Sequence, residues 1–280
     1  MRTLRYVICD VFTERPLQGN PLCVFTDARG LDQGTLQALA RELRLSETSF
    51  ILPPERGGHA RLRIFTPTRE LPFAGHPVLG TAFVLGGPLE STELRLELPI
   101  GIVPVRLERE GARVSFGWMT QPAPEPIDLP DPGPVLAALG SSGDGVSIEA
   151  YDDGTPRLCI EMPAPELVRD LAPDFAALAR ATKFGIGVFH QTASGCIVRY
   201  FVPAWGIDED PATGAFAGVL ARSLWSRGRL ASGEVLHIEQ GAQIGRPSTL
   251  YARVSAQVDG TPQVEVGGAA CIVARGQFVI

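Results

Sequence analysis

Three residues of this 280-residue chain stand where type and spacing suit proton chemistry: Glu47 in LSETSFIL, His76 in ELPFAGHPVLGTAF and Asp210 in DEDPATGAFAG. Carboxylate and imidazole groups move protons near neutral pH when burial or a neighbour adjusts their pKa. His76 lies between a glycine and a proline where an apolar, helix-like run begins. It is open to two roles, a proton shuttle or a helix cap bonded to backbone, and spacing alone favours the second. Asp210 precedes a proline and a helical run, which is also how an ordinary N-cap looks. The triplet Asp208, Glu209, Asp210 also suits a solvated turn. Glu47 follows Ser46 on a turn from helix to strand, and read by itself it belongs on the surface.

A second kind of chemistry is available at the two small-residue runs. A helix N-terminus leaves backbone N–H groups unpaired and carries partial positive charge, so it readily holds a carboxylate. Gly75 and His76 before Pro77 form one such start, and Thr213 and Gly214 after Asp210 form the other. Opposed, two starts of this kind would grip a small anionic substrate between two domains. Small-residue helix starts are common, so the pattern alone does not require that use.

Composition narrows the partners. The chain is 45% hydrophobic and 20% charged with a net charge of −6, as expected of a soluble globular protein. No lysine- or arginine-rich block occurs, which argues against nucleic acid and anionic membrane as partners. The N-terminal MRTLRYVICDVF lacks a long apolar segment and no apolar run reaches membrane-spanning length, so the expected location is cytoplasmic. Five cysteines (9, 23, 159, 196, 271) are scattered without CxxC spacing and read as reduced, mostly buried residues. The four histidines (59, 76, 190, 237) never fall at metal-ligand spacing, so no metal site is expected.

The elements that must position these groups follow from periodicity and punctuation. Leu4 to Phe12 and Leu22 to Thr26 read as strands around the polar loop RPLQGNP. Leu36, Leu39, Ala40 and Leu43 lie at i, i+3, i+4 and i+7, predicting a helix over 37–45. A strand over 61–66, an apolar helix over 77–85 and a hairpin of 94–98 with 102–108 come next. QPAPEPIDLPDPGP, residues 121 to 134, holds six prolines; no element interior tolerates that density, and the segment marks a domain boundary.

Beyond that boundary the pattern partly repeats. RIFTP at 63–67 is echoed by RYFVP at 199–203, and each copy is followed by a loop and a small-residue run opening a helix. Two matched halves of roughly 140 residues suggest duplicated domains.

Taken together, QGNPLCVF (18–25), LSETSFIL (45–52), RIFTPTRELPFAGHPVLGTA (63–82), DEDPATGAFAG (208–218) and EQGAQIGRPS (239–248) resemble the PhzF family of phenazine-type biosynthesis proteins, in family order over nearly the whole chain. The resemblance implies an α/β (α+β) fold of two pseudo-symmetric diaminopimelate-epimerase-like domains. Each would wrap a curved sheet or barrel around a central helix, with the active site in the cleft between them. The expected domains are 1–120 with 265–280, and 121–264. The resemblance also implies a homodimer, no metal and no organic cofactor. Carried over position by position, Glu47 matches the acid/base carboxylate of PhzF-like isomerases, and His76 and Asp210 its polar partners. Gly75, Thr213 and Gly214 fall at the substrate-holding helix ends, and Asn20 borders the same cleft. A single carboxylate serves an allylic isomerisation if its pKa is held near working pH and the carbanion-like intermediate is stabilised.

Two departures bear on function. Ala215 stands where the family often has a serine, removing a hydroxyl from the expected substrate-binding end. Epimerases and proline racemases sharing this fold use a pair of cysteines, whereas His76 and Asp210 occupy the corresponding places here, which disfavours two-thiol racemisation. The expectation is therefore a cofactor-independent isomerase of specialised-metabolite biosynthesis. It would shift a proton and a double bond in a small, amino-acid-derived cyclic carboxylic acid, as in phenazine- or pyrroline-type antibiotic pathways. An epimerase or racemase without a cysteine pair, and an inactive carboxylate-binding protein, are the alternatives.

Overall fold

The computed structural model describes residues 1–280. The chain divides into two compact units, residues 1–121 with 266–280, and residues 122–265. No helix is long and apolar enough to cross a membrane.

The first unit is strand-rich around one buried helix. In chain order it holds β1 (Thr3–Val11), β2 (Asn20–Phe25), α1 (Gln33–Leu43), β3 (Thr48–Leu52), β4 (Ala60–Phe65), β5 (Glu70–Leu71), α2 (Gly75–Leu89), β6 (Glu93–Leu98), β7 (Gly101–Glu110) and β8 (Arg113–Gln121). The C-terminal strand Ala270–Val279 returns to pair antiparallel with β1. On its other side β1 pairs antiparallel with β2, and β2 runs parallel to β3. β3 and β4 are antiparallel, and β4 then pairs with β5 antiparallel and with β6 parallel.

α1 starts where sequence logic wants a cap: Asp32 accepts from the Thr35 backbone N–H at 2.7 Å. It begins four residues before the expected 37, because the cap and not the first apolar residue sets the start. α2 likewise begins at Gly75, two residues before Pro77, and so places Gly75 and His76 in its first turn. It is apolar on all sides and packs against β1, β2, β3, β6, β7 and β8, as a helix without a polar face must. Its glycines make that possible. A Cβ on Gly80 would sit 2.7 Å from Leu22 and Val11, and one on Gly86 would sit 2.4 Å from Leu107.

The second unit repeats this order. It contains β9 (Glu125–Pro126), α3 (Gly133–Leu139), β10 (Ser147–Asp152), β11 (Pro156–Glu161), α4 (Glu166–Arg169), α5 (Phe175–Ala181), β12 (Gly185–Thr192), β13 (Gly195–Val202), β14 (Ile207–Asp210), α6 (Gly214–Ser226), β15 (Leu236–Gln240) and β16 (Ser248–Ala256). β17 (Pro262–Gly268) carries the chain back into the first unit. Past the end of β8 at Gln121, the proline-rich segment contains only the two-residue β9 and the start of α3.

The pairings match one for one. β10–β11 is antiparallel like β1–β2, β11–β12 parallel like β2–β3, and β12–β13 antiparallel like β3–β4. β13–β14 and β13–β15 then reproduce β4–β5 and β4–β6. The short R-x-F-x-P echo marks the same device in each unit. Arg63 of β4 donates from Nε and Nη2 to Glu70 of β5, both at 2.6 Å, and lies 5.1 Å from the Phe65 ring centre. Arg199 of β13 does the same to Glu209 of β14 at 3.0 and 2.7 Å, 5.0 Å from the Phe201 ring centre.

Candidate active site

In the first unit, strand pairing gathers the polar groups that the sequence separates by tens of residues. Gly19 makes the turn into β2 with φ +66, and a Cβ there would lie 2.3 Å from the Val11 carbonyl oxygen. The turn delivers Asn20, fully buried, as the first residue of β2. α1 ends on Arg44 in the left-handed conformation, and the chain then turns through Ser46 and Glu47 into β3. Because β3 runs parallel to β2, with Thr48 opposite Cys23, Ser46 and Glu47 arrive beside Asn20. His76, the second residue of α2, completes the group at 4% exposure.

The contacts form a line. Ser46 Oγ donates to Asn20 Oδ1 at 3.2 Å. Asn20 Nδ2 lies 3.3 Å from His76 Nδ1. His76 Nε2 lies 3.6 Å from Glu47 Oε2, just beyond a hydrogen bond, and the Glu47 side chain is only 14% exposed. Burial pushes the His76 pKa down from 6.5 to about 3, so the imidazole is neutral across the physiological range. These positions correct two sequence expectations. Glu47 is not a surface residue, because the parallel β2–β3 pairing draws its side chain inward. His76 does not cap its own helix; its ring nitrogens face the side chains of Asn20 and Glu47.

In the second unit, Asp210 is the last residue of β14 and is 8% exposed. It is not the N-cap of α6; that position belongs to Thr213. Thr213 Oγ1 donates to Asp210 Oδ2 at 2.5 Å, so the hydroxyl and carboxylate form one unit. The neighbouring Asp208 is exposed, whereas Glu209 is held in the Arg199 ion pair, so the acidic triplet is not a uniformly solvated turn.

Gln240, at the end of β15, escaped the sequence reading although it lies within EQGAQIG. Its Oε1 accepts from the Thr213 backbone N–H at 3.1 Å. Its Nε2 donates to the Asp210 carbonyl at 2.7 Å and to Thr213 Oγ1 at 3.0 Å. The signal that points to it is the glycine beside it. Gly241 has φ +79, and a Cβ there would lie 2.4 Å from the Arg246 carbonyl oxygen and 2.5 Å from that of Pro211. Gln240 and Gly241 together fix the 210–213 loop. With Thr213 so engaged, Gly214 and Ala215 are the buried residues that open α6.

Neither α2 nor α6 has a side chain capping its start. At α2 this leaves the first-turn N–H groups able to bind an anion. Chemically, the first unit offers a part-buried carboxylate beside a neutral imidazole, a combination suited to taking and returning a proton. Thiol chemistry is unsupported. Burial drives the Cys23 and Cys196 thiols up to about 12 and that of Cys9 higher still, and no cysteine stands at either helix start.

Comparison with known proteins agrees with this architecture. The family model for phenazine biosynthesis-like proteins, PhzC-PhzF, matches residues 9–276. Trans-2,3-dihydro-3-hydroxyanthranilate isomerase of Pseudomonas aeruginosa is 41% identical over 273 residues, covering 98% of each chain. The crystal structure of a Bacillus anthracis phenazine biosynthesis protein of the PhzF family superposes with a TM-score of 0.87 at 24% identity over 100% of both chains. A probable proline racemase from Agrobacterium radiobacter superposes at 0.70 with 13% identity, covering 99% of this chain and 93% of that one. The two structural likenesses establish the fold, a diaminopimelate-epimerase-like architecture shared with racemases.

Proposed function

From the premise that this chain belongs to the PhzF family and is an isomerase, we propose that it moves a proton, and with it a double bond, within a small cyclic unsaturated carboxylic acid. Trans-2,3-dihydro-3-hydroxyanthranilate, named for the Pseudomonas relative, or a close analogue is the substrate this reading assigns. The observation that carries it is the Glu47 carboxylate, 14% exposed and 3.6 Å from a neutral His76. A carboxylate in that position takes the proton from one ring carbon as Glu47–COO⁻ becomes COOH, and returns it to another carbon of the same ring. The electron pair left behind delocalises over the diene and the substrate carboxylate until reprotonation. No net oxidation occurs, and atoms and charge balance within the substrate.

Around that step, Gly75 and His76 at the start of α2 supply backbone N–H groups for the substrate carboxylate. In the second unit, Thr213 and Gln240 hold Asp210 in place. Ala215 contributes no hydroxyl at the start of α6.

The test is Glu47→Gln with purified protein and this dihydro acid, followed by NMR in deuterated water. Turnover falls by at least ~10²-fold, the usual contribution of a positioned acid/base. Deuterium reaches the reprotonated carbon to the extent that the Glu47 carboxyl proton exchanges with solvent before its return. A Glu47→Gln protein working within tenfold of wild type would remove Glu47 from the chemistry.

A further inference from the structure

Glu47 and His76 do not stand alone: behind the imidazole lie two polar side chains with no part in the proton transfer. Asn20 is fully buried as the first residue of β2, delivered there by the tight turn at Gly19. Ser46 is the residue before Glu47. The geometry points to a positioning relay, Ser46 to Asn20 to His76, that fixes His76 as the Nε2–H tautomer and aims that proton at Glu47. The proposal rests on the acid/base role of Glu47 for its catalytic consequence, but not for the tautomer itself.

The argument runs through donors and acceptors. Ser46 Oγ stands 3.2 Å from Asn20 Oδ1, and a hydroxyl donating there leaves the amide NH2 directed at the histidine. An amide nitrogen has only protons to offer. His76 Nδ1, 3.3 Å away, must then present its lone pair. A neutral imidazole with a bare Nδ1 carries its proton on Nε2, which lies 3.6 Å from Glu47 Oε2. That separation needs to close by about 0.7 Å to reach the range of a charge-assisted hydrogen bond, and such tightening is common when substrate binds.

The tautomer has a chemical consequence. With Nε2–H facing it, Glu47 is stabilised as the carboxylate, the form needed to accept the substrate proton. With the proton on Nδ1, a lone pair would face the carboxylate, and that stabilisation would be lost. Asn20 is thus a positioning residue that aims the His76 proton at Glu47 without touching the reacting carbon.

The experiment is a long-range 1H–15N correlation on protein labelled with 15N-histidine at pH 7. The chain has four histidines, so the His76 signals are assigned by their loss in His76→Gln. Wild type shows a protonated Nε2 and a bare Nδ1. Asn20→Asp, which replaces the donor by an acceptor, moves the proton to Nδ1 or protonates both nitrogens. Asn20→Leu yields a mixture and lowers kcat about 10²-fold with KM within about threefold, as misaimed catalytic groups do. Because Asn20 is buried and its variants are at risk of misfolding, Ser46→Ala provides a milder arm and lowers the Nε2–H population.

A wild-type His76 protonated on Nδ1, or on both nitrogens, overturns the relay. So do folded Asn20 variants with an unchanged tautomer, and so does an Asn20→Leu effect confined to KM, which would make Asn20 a substrate contact. The spectra are recorded without substrate. Should they come out as expected while Glu47→Gln stays active, the acid/base reading fails and the relay stands.

Discussion

At the scale of single residues, His76 carries a measurable signature of its burial. The unfolded chain protonates this histidine near pH 6.5 and the folded protein only near pH 3. Between those values the unfolded state binds more protons, so His76 weakens the fold progressively as pH falls from 6.5 toward 3 and costs nothing above 6.5. Fully developed, the slope is about 1.4 kcal/mol per pH unit. His76→Gln, which cannot titrate, should therefore lose less Tm than wild type between pH 6.5 and 4.5, whatever its offset at pH 7. Parallel Tm curves for the two proteins would show that the site is wet enough to accept the charge. The same burial explains why Glu47 misled as a lone residue. A glutamate after a helix reads as solvated, and nothing within LSET reveals that β3 will lie parallel to β2 and roof it. Gln240 was hidden for the opposite reason: its hydrogen bonds go to Asp210 and Thr213, about thirty residues away, and only Gly241 advertises the close approach.

At the scale of elements, the repeated Arg–Glu–Phe device separates two environments. The Arg199 and Glu209 side chains are 6% and 5% exposed, and Arg199 also donates to the Leu171 carbonyl at 2.6 Å. Arg63 and Glu70 are 23% and 26% exposed. Truncating Arg199 strands a buried carboxylate and should cost about 3–5 kcal/mol, whereas Arg63→Ala should cost about 1 kcal/mol. Replacing Arg199 and Glu209 together by Met and Leu recovers most of the loss, since a packed apolar pair avoids the desolvation cost. Urea denaturation of the four proteins measures this. Equal costs for Arg63→Ala and Arg199→Ala would mean that burial does not govern these pairs. The five-residue echo was legible in sequence because both copies retain the arginine, the phenylalanine and the proline. The glutamates were not legible as partners, since they lie seven and ten residues on, across turns of different length.

At the scale of the molecule, the last eleven residues matter more than their distance from the site suggests. The strand Ala270–Val279 pairs with β1 from Val11 at one end to Thr3 at the other, and β1 in turn orders β2, whose first residue is Asn20. Tyr6 and Phe25 both pack against Phe278, with ring centres 5.5 and 5.6 Å from it. Removing 270–280 would leave β1 with an open edge and expose that aromatic cluster to water, a loss of several kcal/mol on area grounds alone. The second unit has its own buried cluster, built from Leu158, Ile160, Ile186, Val188 and Phe201, all within residues 122–265. A chain ending at Ala269 should therefore lose hydrogen-exchange protection across β1, β2 and β3 and lose turnover, because Asn20 and Glu47 are no longer held. Amides of β12 and β13 should remain protected. If protection fell uniformly through residues 122–265 as well, the two units would unfold as one cooperative body; if β1 and β2 stayed protected, the C-terminal strand would be an ornament on a unit already complete without it.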